Sequence, residues 1–114
     1  MPSTPQTPPQ PPIRSEFCSD PEMREIVEIY VGEMPQRVAS LADHWESQQL
    51  EELRRLAHQI KGASAGYGFP SIGSAAGRVE QTLVTLGNGG LGSSLDQLRK
   101  QVHDLISLCQ RVSI

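Results

Sequence analysis

Between Leu50 and Tyr67 the chain sets Leu53, Ala57, Ile60, Ser64 and Tyr67 at steps of four and three. Residues spaced in this way share one side of a helix, so the stretch must bury that side against a partner. The same rhythm returns in Ile72, Ala75, Ala76, Val79 and Leu83, and again in Leu95, Leu98, Val102, Leu105, Ile106 and Cys109. No convincing alternating apolar run competes with it, so the fold class is all-α. Only 4% of residues are aromatic against 37% hydrophobic, which makes any core mostly aliphatic. A chain of 114 residues supports one such core, not two.

The boundaries of the elements follow from caps and breakers. Ser19-Asp20-Pro21-Glu22 is a helix start, with Asp20 as N-cap and Pro21 in the first position. Ile26, Ile29 and Tyr30 carry its apolar stripe, and Pro35 predicts a break near Gly32 to Met34. A second element is expected from Gln36, carried by Val38, Leu41, Ala42 and Trp45, with a polar turn over Gln48 to Glu51. The third begins near Leu50 and is ended by Phe69-Pro70-Ser71; the fourth runs from about Ser71 to Leu86. Gly87-Asn88-Gly89-Gly90 is the clearest breaker, and a last helix is expected from about Ser94 to Val112. Four long amphipathic helices with short links make an antiparallel four-helix bundle, with an additional short N-terminal helix packed across it. Six of the nine prolines fall in the first twelve residues. Residues 1–14 are therefore expected to be a disordered tail or linker, and 15–114 the bundle.

Several function classes drop out. A net charge of −3 argues against nucleic-acid binding by bulk phosphate neutralisation. No apolar stretch is long enough to span a membrane or serve as a signal sequence. Cys18 and Cys109 form no CxxC pair and suit a reduced, intracellular chain, while His44, His58 and His103 lack metal-ligand spacing. The run GASAGYGFPSIG is followed by no GK[ST] and preceded by no strand, so it is not a nucleotide loop. Its small-residue pairs, Gly62 with Gly66 and Gly73 with Gly77, are expected at close helix contacts, and Gly68 at a helix end.

His58 does not belong to the buried stripe. One residue is about 100° of helical rotation, so with Ala57 and Ile60 inward its ring turns away from the core. Its axial neighbours are Arg54, Arg55, Lys61 and Gly62. A solvated surface histidine satisfies this pattern. So does an open imidazole in cationic surroundings, suited to carrying a group that becomes anionic.

His58, Lys61, Gly62, Ser64 and Gly68 together resemble the HxxKGxSxxxG signature of histidine-containing phosphotransfer (HPt) domains. The likeness extends through Leu53, Leu56, Ala57, Ala75, Ala76, Val79 and Glu80, and covers roughly Ser19 to Val112. It implies a phosphorelay intermediate of two-component signalling, without autonomous kinase activity. His58 would accept a phosphoryl group from a receiver-domain aspartate and pass it to another. Lys61 would stabilise the phosphate, Gly62 would leave steric clearance, and Glu80 would orient the imidazole through Nδ1. Arg54 and Arg55 are candidate contacts to phosphate or receiver, and Ser64 is assigned to packing and backbone hydrogen bonding. The implied partners are receiver domains and a hybrid sensor histidine kinase, with Mg²⁺ on the receiver and no cofactor in this chain. A cytoplasmic monomer is expected. Two alternatives share the scaffold: a degenerate receiver-docking module, and a chemotaxis-kinase-type domain phosphorylated by an ATP-binding domain.

Overall fold

The computed structural model describes residues 11–87 and 92–113. Four helices dominate: α1 (Pro21–Glu46), α2 (Leu50–Gly66), α3 (Pro70–Gly87) and α4 (Gly92–Cys109). Each packs against the next, and α1 closes the bundle against α4. Three-residue links return the chain from α1 to α2 and from α2 to α3, which sets those neighbours antiparallel. The breaker at Gly87-Asn88-Gly89-Gly90 lies, beyond Gly87, outside the described residues.

The core is aliphatic, as the composition requires. Leu53, Ala57 and Ile60 of α2 meet Ile72, Ala76 and Val79 of α3 and Leu98, Val102 and Leu105 of α4, all fully buried. Leu95, expected inward, is exposed at the start of α4.

The N-terminal part corrects the sequence reading. The short helix and the second element expected on either side of Pro35 are one helix, α1, with Pro35 inside it. A proline inside a helix costs about 3 kcal/mol through a lost hydrogen bond and a clash. Burying one large aliphatic side chain gains about 1.5–3 kcal/mol. Val27, Tyr30 and Met34 before the proline and Leu41 after it are all buried on one face. A single helix keeps the four in phase, and their burial outweighs the proline. Ile26 and Ile29, expected on the buried stripe, face solvent instead. Asp20 caps α1 as anticipated: its Oδ1 accepts from the Glu22 amide at 2.9 Å, with Pro21 in the first turn.

Two short strands were not anticipated. Ile13–Arg14 (β1) pairs in parallel with Val112–Ser113 (β2), joining the two ends of the domain. Residues 13 and 14 had been placed with the proline-rich tail, of which residues 1–10 lie outside the described residues. Beyond β1 the chain straps over the turn between α2 and α3. The Ser15 hydroxyl donates to the Tyr67 carbonyl at 2.6 Å, and the Glu16 amide donates to the Gly68 carbonyl at 2.8 Å. A two-residue pair offers too short a pattern for period-2 reading, which explains why it was invisible.

Ser64 also acquires a definite partner. Its side chain is fully buried and hydrogen-bonds the Tyr30 hydroxyl of α1, whose ring lies 4.9 Å from that of Tyr67 and 5.7 Å from that of Phe69. A buried hydroxyl without a partner would be destabilising, so the pair ties α1 to the C-terminal end of α2.

The cysteines differ in environment. Cys109 is buried in the core, and burial pushes its thiol up to about 12; Cys18 is only half-buried. The thiolate is the reactive form. In native protein at mildly alkaline pH, a thiol reagent should therefore modify Cys18 and leave Cys109 until the chain unfolds. Peptide mass mapping checks this, and equal labelling of both would contradict the buried assignment. By linkage, the neutral Cys109 thiol contributes stability below the ordinary thiol range near 9.0, and that contribution is lost as pH rises towards 12.

Candidate functional site

The centre of α2 builds the site. Leu53, Ala57, Ile60 and Ser64 turn inward and so fix the rotation of the helix. His58 and Lys61 then emerge on the side nearest α3, where Glu80 projects from the following helix. His58 Nδ1 lies 2.7 Å from Glu80 Oε2. An ionised carboxylate only accepts hydrogen bonds, so in a neutral imidazole this contact puts the proton on Nδ1 and the lone pair on Nε2. The exposures match that division, with the His58 side chain 68% open to solvent and the Glu80 carboxylate only 16%. Glu80 has a second partner, since its Oε1 is 3.6 Å from Lys61 Nζ. One largely shielded carboxylate thus holds both the imidazole and the ammonium.

A profile of the Hpt domain matches residues 25–112 of the chain. The chain belongs to the Hpt domain family. Hpt domains act in phosphotransfer in two-component signalling as carriers, and they interact with receiver domains and kinases. The match begins at Glu25 within the first turns of α1, runs through α4 and ends at Val112 in β2, leaving β1 and the strap outside it. Comparisons with curated proteins and with solved structures gave no significant match.

Within this Hpt domain the cationic surroundings of His58 are thinner than the sequence suggested. Arg54 grips Glu51 through Nε at 2.9 Å and Nη2 at 2.8 Å, and Arg55 Nη1 lies 3.5 Å from Glu52. The Glu51 hydrogen bonds, and the charges of Glu51 and Glu80, raise the Arg54 pKa further above its already high value. Among the described residues Lys61 is the lysine or arginine within ion-pair distance of Glu80, at 3.6 Å. The Arg54 and Arg55 pairs are exposed, and exposed pairs are weak, so an arriving anion can compete for either guanidinium.

The glycines of the motif divide by environment. A Cβ built on Gly62 or on Gly66 meets nothing within 4 Å. The close contact expected for that pair is therefore absent: both lie on the open face of α2. Space beside His58 is what Gly62 supplies. The Gly73 and Gly77 pair does face α2, as anticipated. Between the helices a shallow groove of about 480 Å³ is lined by Lys61, Gly62, Ala65, Gly73, Ser74 and Gly77.

The link between Lys61 and Glu80 escaped the sequence reading, which gave the two residues separate tasks. Spacing within α2 carries no signal for it, because the pair crosses from one helix to the next. Among the described residues no helix is long and apolar enough to cross a membrane.

Proposed function

We propose that this Hpt domain is a phosphorelay intermediate that accepts a phosphoryl group on Nε2 of His58 from a receiver aspartate and passes it to another. The observation that carries the reading is the open His58 ring whose Nδ1 meets Glu80 at 2.7 Å, leaving the nucleophilic lone pair outward. In the transfer, the Nε2 lone pair forms the N–P bond as the bond from phosphorus to the aspartyl oxygen breaks. The receiver's carboxylate leaves with the electron pair. The imidazole retains Nδ1–H and gains positive charge, which the Glu80 carboxylate offsets at hydrogen-bond distance. Lys61 Nζ moves from Glu80 towards a phosphoryl oxygen. Positioning and charge stabilisation account for most of what phosphoryl transfer requires. Mg²⁺ and the acidic pocket around the aspartate belong to the partner receiver. A hybrid sensor histidine kinase would stand upstream, and Arg54 and Arg55 are candidate contacts to receiver or phosphate once their glutamate pairs open.

The test is to incubate the chain with a phosphorylated receiver domain and, separately, with an ATP-binding kinase domain of the chemotaxis type. Label taken from the receiver, acid-labile and base-stable as in a phosphoramidate, is the expected result. Label taken only from the kinase domain favours the chemotaxis-type alternative, and docking without label favours a degenerate module.

Gly62 provides a second check. A leucine there should slow transfer by about tenfold, because a side chain beside the ring obstructs the incoming aspartate. The same change should stabilise the isolated helix face by roughly 0.5–1 kcal/mol, as glycine is a poor helix residue. Stopped-flow transfer and urea unfolding read the two effects. An undiminished rate would remove steric clearance as the reason for this glycine.

A further inference from the structure

Gly77 lines the groove beside Lys61, and its surroundings differ from those of Gly73. A Cβ at Gly73 would lie 3.4 Å from the Lys61 carbonyl oxygen and 3.8 Å from the Ala65 amide, so the backbones of α2 and α3 approach there. A Cβ at Gly77 would meet the Lys61 side chain alone within 4 Å, at 3.6 Å from Cδ and 3.7 Å from Cε. The Lys61 methylenes therefore run across a bare strip of α3. Its ammonium ends 3.6 Å from Glu80 Oε1, one turn further along the same helix. A free lysine side chain samples many rotamers, and holding it in one costs conformational entropy. A flat bed that the methylenes can cover restricts that freedom and keeps the charged end in water, where it remains mobile enough to change partners.

We propose that Gly77 is the positioning residue for Lys61, its missing side chain forming the track along which the lysine reaches Glu80 and the phosphoryl group on His58. The proposal rests on the phosphoacceptor reading of His58. It differs from helix packing in that the neighbour served is a functional side chain and not the backbone of α2. A larger side chain at position 77 occupies the track and pushes the lysine stem off α3. An alanine meets Cδ and Cε at ordinary contact distance and leaves the route usable.

The experiment compares G77L, G77A, K61A and the double variant K61A/G77L in transfer from a phosphorylated receiver, with circular dichroism as the fold control. G77L is expected to slow transfer by about tenfold. The conservative G77A should restore most of that loss, and the double variant should be no slower than K61A alone. Wild-type protein without phosphate should give a nuclear Overhauser contact between the Lys61 Cε protons and the Gly77 Cα protons, lost in K61A. Absence of that contact overturns the proposal whatever the kinetics. So does a G77L rate equal to wild type, or losses that add in the double variant, because added losses mean that leucine obstructs docking independently of Lys61. A wild-type chain that takes up no phosphate sinks the phosphoacceptor reading and this role with it. One that transfers normally while failing the Gly77 comparisons sinks the Gly77 role alone.

Discussion

Replacing His58 with glutamine should abolish phosphate uptake from a phosphorylated receiver and leave the fold nearly untouched. The two halves of that result have different causes. Uptake needs a lone pair on a ring nitrogen, and the glutamine amide nitrogen has none available because it is delocalised into the carbonyl. The other two histidines stand elsewhere: His44 pairs with Gln49 at 3.1 Å at the C-terminal end of α1, and His103 lies exposed on α4. Stability should change by no more than about 0.5 kcal/mol, as for most solvated positions. The ring is 68% exposed, and glutamine is a good helix former. Glu80 retains Lys61 as a partner when the imidazole is gone. Radiolabel transfer followed by gel separation reads the first half, and helical ellipticity with the thermal midpoint reads the second. Label persisting on the variant would move the phosphoacceptor to another residue.

The largest loss of stability should come from Gly68, ten residues further along the same motif. Its φ is +85°, a left-handed conformation in which a side chain meets its own backbone. Space is lacking as well, since a Cβ would lie 2.5 Å from Ser15 Oγ and 2.8 Å from the Glu16 amide nitrogen. The second of these is backbone and is held by its own hydrogen bond to the Gly68 carbonyl at 2.8 Å. Left-handed strain of about 1–2 kcal/mol adds to overpacking of about 1–3 kcal/mol. Gly68→Val should therefore cost roughly 2–5 kcal/mol, a large fraction of the 5–15 kcal/mol that holds a typical domain. The strap from Ser15 to Phe17 should loosen first, seen as faster amide exchange at Glu16. Urea unfolding of Gly68→Val beside wild type decides the matter. A loss under about 1 kcal/mol would mean that the strap yields without consequence. Gly62 and Gly68 thus sit in opposite surroundings, one on the open face of α2 and the other closing the turn.

Much of this was legible beforehand because it depends on one helix at a time. The step pattern from Leu53 to Tyr67 gave the inward face of α2, and that face placed His58 outside the core. The Asp20 cap followed from chemistry contained in four consecutive residues. Glu80 was recognised from the family likeness at the matching position, 22 residues beyond His58. What failed depended on other elements. Pro35 looked like a break because local propensity was weighed without the burial of Val27, Tyr30, Met34 and Leu41 on a shared face. Gly62 and Gly66 looked like a contact pair because spacing alone does not say which side of a helix another helix covers.

The amino-acid sequence alone determined the helical class, the outward position of His58 and the run of residues that marks an Hpt domain. These are properties of periodicity and local composition, set within a few turns of one helix. Only the tertiary structure decided that α1 continues through Pro35, that β1 joins β2, and that one carboxylate serves both His58 and Lys61. Each of these balances a local cost or freedom against contacts from a distant part of the chain, and that balance exists only once the helices are packed.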